Sequence, residues 1–230
     1  MSAPTTTGRV TARAAQAAET RQRLIAAAVQ LFSEHSYDDV AVADIPKVAG
    51  VAHGLLFHYF GSKRGIYLEA MRGAAEQLYE SFKIRPGLPP AAQIRRALAS
   101  HLRYLATHRG LALRLVLGGR GADPEAWEVF EAGRWRALQT VGALLGLHRD
   151  SAALRMMGRA AVSAIDEVSV FWLNNGQPFE VDAMVGCMVQ MIASGLRAAA
   201  TLDPTLDVDA AVHTLLDEAT ADIGDAHCSD

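Results

Sequence analysis

Residues 24–71 read LIAAAVQLFSEHSYDDVAVADIPKVAGVAHGLLFHYFGSKRGIYLEAM, and this stretch decides the fold. Leu24, Ala27, Ala28, Leu31 and Phe32 recur at three and four residues and form one apolar stripe on a first helix. Ile45, Val48, Ala49, Val51, Leu55, Leu56 and Tyr59 can close a small core against that stripe. The two short helices they belong to meet at the tight Ala49-Gly50-Val51 turn, and the second ends in the aromatic run Phe57-His58-Tyr59-Phe60. Two short helices joined at a glycine turn have the layout of a helix-turn-helix, whose second helix enters the major groove of DNA. Ser62 stands just before the next helical run, with its hydroxyl placed to cap free backbone N–H groups. For the turn motif alone, the alternative is a helical hairpin that merely packs.

The run as a whole resembles the amino-terminal domain of TetR-family transcriptional regulators. The matching pieces are Ala27-Ala28 with Leu31-Phe32, Val42-Ala43-Asp44-Ile45, Ala49-Gly50-Val51, Gly54, and the block Leu56-Phe57-His58-Tyr59-Phe60-Gly61-Ser62-Lys63. The resemblance implies that Lys63, at the start of a fourth helix, meets a DNA phosphate, where the helix dipole also favours an anion. It places His58 and Tyr59 on or beside the backbone-contacting face, puts His53 where a basic residue is frequent, and makes Gly54 a point of close approach. Leu55 and Phe57 stand where family members often carry Thr and Tyr, so they are expected to touch thymine methyls instead. Ala52 replaces a Ser or Thr cap and should weaken the recognition helix by roughly 1 kcal/mol. Ala41 lacks a hydroxyl often found before the second helix. Pro46 cannot donate to a helical ladder, so regular hydrogen bonding in the second helix should start only near it.

Charge distribution agrees with this in sign. The 230-residue chain has a net charge of −3, but residues 1–65 hold seven basic against five acidic residues, and the rest hold fifteen against twenty. A basic head on an acidic body is expected of a DNA reader. Cys187 and Cys228 lie far apart without metal-ligand spacing, so no metal, cofactor or disulfide framework is expected. No signal segment and no long charge-free apolar run is seen, which leads to the expectation of a cytoplasmic protein without a membrane partner. Catalytic fingerprints are absent, and Asp166-Glu167 cannot act as a dyad, because helical neighbours point about 100° apart. An all-α enzyme and a ligand-independent DNA-binding dimer or adaptor are the alternatives to a ligand-responsive regulator.

Helical periodicity continues through the body, so the expected fold is all-α: a three-helix head joined by a long helix to a helical ligand-binding and dimerisation body. The expected divisions are a flexible basic tail (or fraying helix) at 1–18, a head at 19–65, a body at 66–225 and a tail at 226–230. Helices are expected over 62–82, 91–107, 111–117, 123–147, 151–174, 181–201 and 207–223, broken by Pro86-Gly87-Leu88-Pro89-Pro90 and by Asn175-Gly176-Gln177-Pro178. In the 151–174 and 181–201 pair, Ala161, Ile165, Val168 and Trp172 make one stripe, and Met184, Met188, Ile192 and Gly195 another. The resemblance implies that this pair forms a four-helix interface in a homodimer, which would bind a pseudo-palindromic operator and repress. Trp127, Phe130 and Arg134 share a face of the 123–147 helix, His101 sits among Ile94, Leu98 and Leu105, and Met156, Glu167 and Phe171 form a second face of the 151–174 helix. These are the expected lining of a pocket for a lipophilic or aromatic effector, with an Arg134–Glu167 pair inside a filled core as the alternative.

Overall fold

The computed structural model describes residues 7–82, 84, 86–110, 113, 124–148 and 150–217. Among them the secondary structure is helical throughout: α1 (Thr7–Glu34), α2 (Asp44–Ala49), α3 (Gly54–Phe60), α4 (Lys63–Ser81), α5 (Pro90–Thr107), α6 (Pro124–Leu144), α7 (Ala152–Asn174), α8 (Val181–Leu202) and α9 (Asp209–Leu216). The segment expected as a flexible tail or fraying helix is helical from Thr7 onward. The short helix expected over 111–117 and the end of the one expected over 207–223 lie largely outside the described residues.

In the head, Leu24, Ala28 and Phe32 of α1 are buried against Ile45 of α2, Leu56 of α3 and Ile66 of α4. Val48, expected in this core, is exposed. Ile45, Pro46 and Ala49 take the buried arc of α2, and Val48 lies roughly 100° from its centre. Pro46 falls in the first turn of α2, where its missing N–H deprives the ladder of nothing, and its carbonyl accepts from Val51 N at 3.0 Å.

The long α4 is shared between head and body. Its first turn is capped by Ser62, whose hydroxyl accepts from Gly65 N at 3.0 Å. Tyr67 packs edge-on against Phe32 and Tyr37 at centroid distances of 5.0 and 4.9 Å, and Glu69 pairs with Arg21 of α1. Further along, Ala75 and Leu78 belong to the body. α6 runs alongside α4, tied to it by Arg64–Glu125 (3.2 Å), Arg72–Glu125 (3.0 Å) and Arg136–Glu76 (3.3 Å).

The rest of the body is built around α8, which packs against α5, α7 and α9. By length and composition α8 is apolar enough to cross a membrane, but here it serves as a core helix, with Met188, Val189, Ala193 and Ala199 fully enclosed. The α7–α8 connection is fixed by Trp172, whose indole N–H donates to the Phe179 carbonyl at 2.8 Å.

Candidate functional site

Two sites stand at opposite ends of α4: the face of α3 beside the start of α4, and a cavity in the body. The α2–α3 turn needs Gly50, which takes the left-handed conformation (φ +63°), and a Cβ there would lie 2.9 Å from Arg23 Nη2. That guanidinium closes the turn from α1 by donating to the carbonyls of Ala49 (2.6 Å) and Gly50 (3.1 Å). Nothing in the spacing of Arg23 along the sequence distinguishes such a clamp from a solvated arginine.

α3 starts without a side-chain cap, its first bonds running from Leu55 N to Ala52 O (3.0 Å) and from Leu56 N to His53 O (3.3 Å). No hydroxyl stands at Ala52 to supply a cap there. Leu56 points into the head core, while His53, Gly54, Phe57 and His58 are exposed, and Leu55 and Tyr59 are half-buried. Phe57 is 46% exposed and meets the His53 ring edge-on at 5.6 Å, so the outer face of α3 carries a preformed aromatic ridge. Lys63 Nζ rests 4.5 Å over the Tyr37 ring at the amino end of α4, so a cation stands where that helix's unpaired N–H groups already favour an anion. Gly65 fixes the join between α3 and α4, because a Cβ there would fall 2.0 Å from the Phe60 carbonyl oxygen.

The body holds a cavity of about 570 Å³, large enough for a small lipophilic molecule. Its walls are predominantly apolar and come from Leu78 of α4 and Phe82 just beyond its end, Leu98 and His101 of α5, Phe130, Arg134 and Leu138 of α6, Ala161 and Ile165 of α7, and Ile192 and Gly195 of α8. Gly158 lets α7 approach α6, since a Cβ there would lie 3.1 Å from Leu138 Cδ2.

Of the residues expected to line a pocket, the structure brings together His101, Phe130 and Arg134. Trp127 stands behind them, with Arg134 Cζ 5.0 Å from its ring and 4.2 Å from that of Phe130. Met156, Glu167 and Phe171 are not in the lining, and Met156 (54%) and Phe171 (58%) are exposed on the outer side of α7.

The stripes expected at a dimer interface are corrected in the opposite sense. Ala161, Ile165, Ile192 and Gly195 face the cavity, Trp172, Met184 and Met188 are buried within the protomer, and Val168 is half-buried. Both helices are apolar on more than one side. Periodicity finds apolar residues on two faces of these helices and does not say which of them turns inward.

The Arg134–Glu167 pairing is likewise corrected. Arg134 donates to Asp166 from α7 and to Glu131 at 2.7 Å within α6, and Arg159 also reaches Glu131 at 2.7 Å. Asp166 lies on the inward side of α7 and Glu167 on the outer side, following the 100° step between neighbours. His101 meets Ser81 Oγ through Nδ1 at 3.4 Å and the Phe82 ring edge-on at 6.2 Å, and burial pushes its pKa down to about 4.

A helix-turn-helix with an exposed aromatic face, carried on an all-helical body with an apolar cavity, is the architecture of a DNA-binding regulator. Residues 24–70 match the family model described as bacterial regulatory proteins, tetR family. A tetR-family transcriptional regulator from Streptomyces coelicolor superposes with a TM-score of 0.74 at 25% identity, covering 86% of this chain and 88% of that one. The fatty acid metabolism regulator protein of Bacillus subtilis (strain 168) is 24% identical over 183 residues, 76% of this chain and 94% of that protein. The crystal structure of the transcriptional regulator FadR from Bacillus subtilis in complex with stearoyl-CoA has the same fold, with a TM-score of 0.62 at 24% identity over 76% of this chain and 98% of that one. Residues 24–70 thus match the TetR-family DNA-binding domain, and the chain as a whole shares the fold of a TetR-family regulator. It is a DNA-binding transcriptional regulator.

Proposed function

We propose that the protein is a homodimeric, cytoplasmic repressor that binds a pseudo-palindromic operator through α3 and is released when a lipophilic molecule fills the body cavity. The observation that carries this reading is the position of α4: its first turn adjoins α3, and its last turns wall the cavity through Ala75, Leu78 and Tyr79, with Phe82 just past its end. A molecule seated against these residues acts directly on the helix that carries the head. It need only favour the arrangement whose head spacing does not fit the operator. The ion pairs of Arg64, Arg72 and Glu76 with α6 make α4 and α6 move as a unit.

Support for a lipophilic effector comes from the apolar walls and from the stearoyl-CoA held by the related FadR. Support for a dimer is the outward face of α7 and α8, where Met156, Ala160 and Phe171 stand beside Ala183, Cys187, Gln190 and Ser194, spaced alternately four and three apart on α8. A two-fold protein requires a two-fold site, with half-sites one helical turn or a multiple apart. Contacts to DNA are assigned to His53, Gly54, Leu55, Phe57, His58, Tyr59 and Lys63.

The test is operator selection from a random library with the purified protein, followed by release with a panel of amphipathic aromatic compounds and fatty acyl thioesters. The expected result is a palindromic consensus and release by at least one lipophile. A non-palindromic consensus argues against the dimer. Release unaffected by Leu138→Trp or Ala161→Trp, which fill the cavity, argues against the cavity as the effector site.

A further inference from the structure

α1 is longer than the head requires. The buried core of the head begins at Leu24, but the helix starts at Thr7, so roughly 25 Å of helix, at about 1.5 Å per residue, precedes the first core residue. Arg13, Ala14, Ala15, Gln16, Ala18 and Glu19 are exposed, so this part of α1 gains little from packing and owes its form to the high helix propensity of its alanines. Residues 7–18 contain Arg9 and Arg13 and no acidic residue. Among the described residues, Arg13 has no ion-pair partner.

The helix register gives these arginines a direction. Arg9, Arg13, Gln16, Thr20 and Arg23 are spaced four, three, four and three apart, which places them on one stripe of α1. Where the stripe enters the head, Arg23 donates to the carbonyls of Ala49 and Gly50 in the turn leading into α3. His53 and Gly54, exposed at the start of α3, follow that turn directly. The stripe therefore continues outward on the side of α1 that faces the start of the DNA-reading helix. A duplex held by α3 brings its flanking backbone to that side, and that backbone carries one negative charge per about 1.7 Å of helix axis.

We propose that the amino-terminal part of α1 is a second DNA-contacting element, in which Arg13, with Arg9 one turn before it, meets phosphates flanking the half-site read by α3. It adds affinity without base discrimination, because phosphate contacts position a protein and carry no sequence information. The inference rests on operator binding through α3.

The experiment uses the full-length protein and two duplexes built on the selected operator, one extended by flanking base pairs on both sides and one trimmed to the half-sites. On the extended duplex, Arg9→Ala/Arg13→Ala should bind more weakly and lose about two units of salt slope for each bound head, at roughly 0.9 per phosphate. Between about 50 and 200 mM salt its deficit should shrink roughly tenfold per head. On the trimmed duplex the variant and the unaltered protein should bind alike. Arg9→Lys/Arg13→Lys keeps both charges and should keep most of the affinity. Arg13 is exposed, so the thermal unfolding of all three proteins should coincide.

An unchanged salt slope on the extended duplex, or an equal loss on both duplexes, overturns the inference. So does a smaller species in light scattering of the alanine variant without DNA, which would make this part of α1 a contact with the acidic body of a second copy. If Lys63→Ala weakens binding and the α1 variant does not, only this part of α1 leaves the interface. If neither changes affinity or slope, the assignment of α3 and the start of α4 to DNA falls with it.

Discussion

Lys63 sits at the one place in the head where a side-chain cation and an open helix amino terminus coincide. Replacing it with Ala should weaken binding to all DNA sequences alike and reduce the salt slope by about one unit, because one phosphate contact is lost. An unchanged slope in titrations at several salt concentrations would remove Lys63 from the interface. Gly65 acts through shape alone. The Cβ of Gly65→Ala would overlap the Phe60 carbonyl, so the turn carrying α3 must shift, with an expected loss of about 1–3 kcal/mol in denaturant unfolding.

His101 makes stability depend on pH. Its pKa is about 4 in the folded protein and 6.5 in the unfolded chain, so between these values the unfolded chain binds more protons. This contribution is complete above pH 6.5, is lost as pH falls toward 4, and does not change further below that. His101→Gln should flatten the stability profile in that window. Glu69 adds acid sensitivity at lower pH. The hydrogen bond from Arg21 holds its carboxyl below the usual carboxylate range, so its contribution is present above the pKa of the unfolded chain and fades as pH falls below it.

Among the elements, α2 shows how position decides the effect of a residue. A proline in a helix interior costs roughly 3 kcal/mol, but Pro46 occupies the first turn of a six-residue helix. Pro46→Ala should therefore gain no stability and should lose up to about 1 kcal/mol, through added freedom in the unfolded chain. A large gain on thermal unfolding would mean that the ladder had been strained. In the proposed mechanism, α4 is the element that links the cavity to the head. Its ion pairs to α6 are exposed and individually weak. Their role is to align the two helices, not to hold the body together. Charge reversal at Glu125 should accordingly alter operator affinity or effector release more than melting temperature.

Over the whole molecule, the outward face of α7 and α8 leaves large apolar side chains in water. Phe171→Glu and Met156→Glu should convert the proposed dimer to a monomer in light scattering at micromolar concentration and weaken operator binding, because one head alone reads only half a site. Variants that stay dimeric would place the interface elsewhere, and a monomer for the unaltered protein would overturn the dimer itself. Inside the body, Asp166→Ala leaves Arg134 enclosed beside Phe130 with less than its full set of partners, and it should cost several kcal/mol, of the order of 3–5.

The sequence by itself determined the head, its turn, the cap at Ser62, the all-helical class and nearly every helix boundary among the described residues. These follow from interactions a few residues apart: stripe periodicity, glycine conformation, proline geometry and capping. It also picked His101, Phe130 and Arg134 as polar or aromatic groups on inward faces. Only the tertiary structure decided which apolar face of α7 met the cavity and which met solvent, and that Asp166, not Glu167, balances Arg134. The physical reason is that a helix apolar on two sides has the same periodic signature whichever way it is turned. Its rotation is set by the neighbours it packs against, here α5 and α8, contributed by distant parts of the chain.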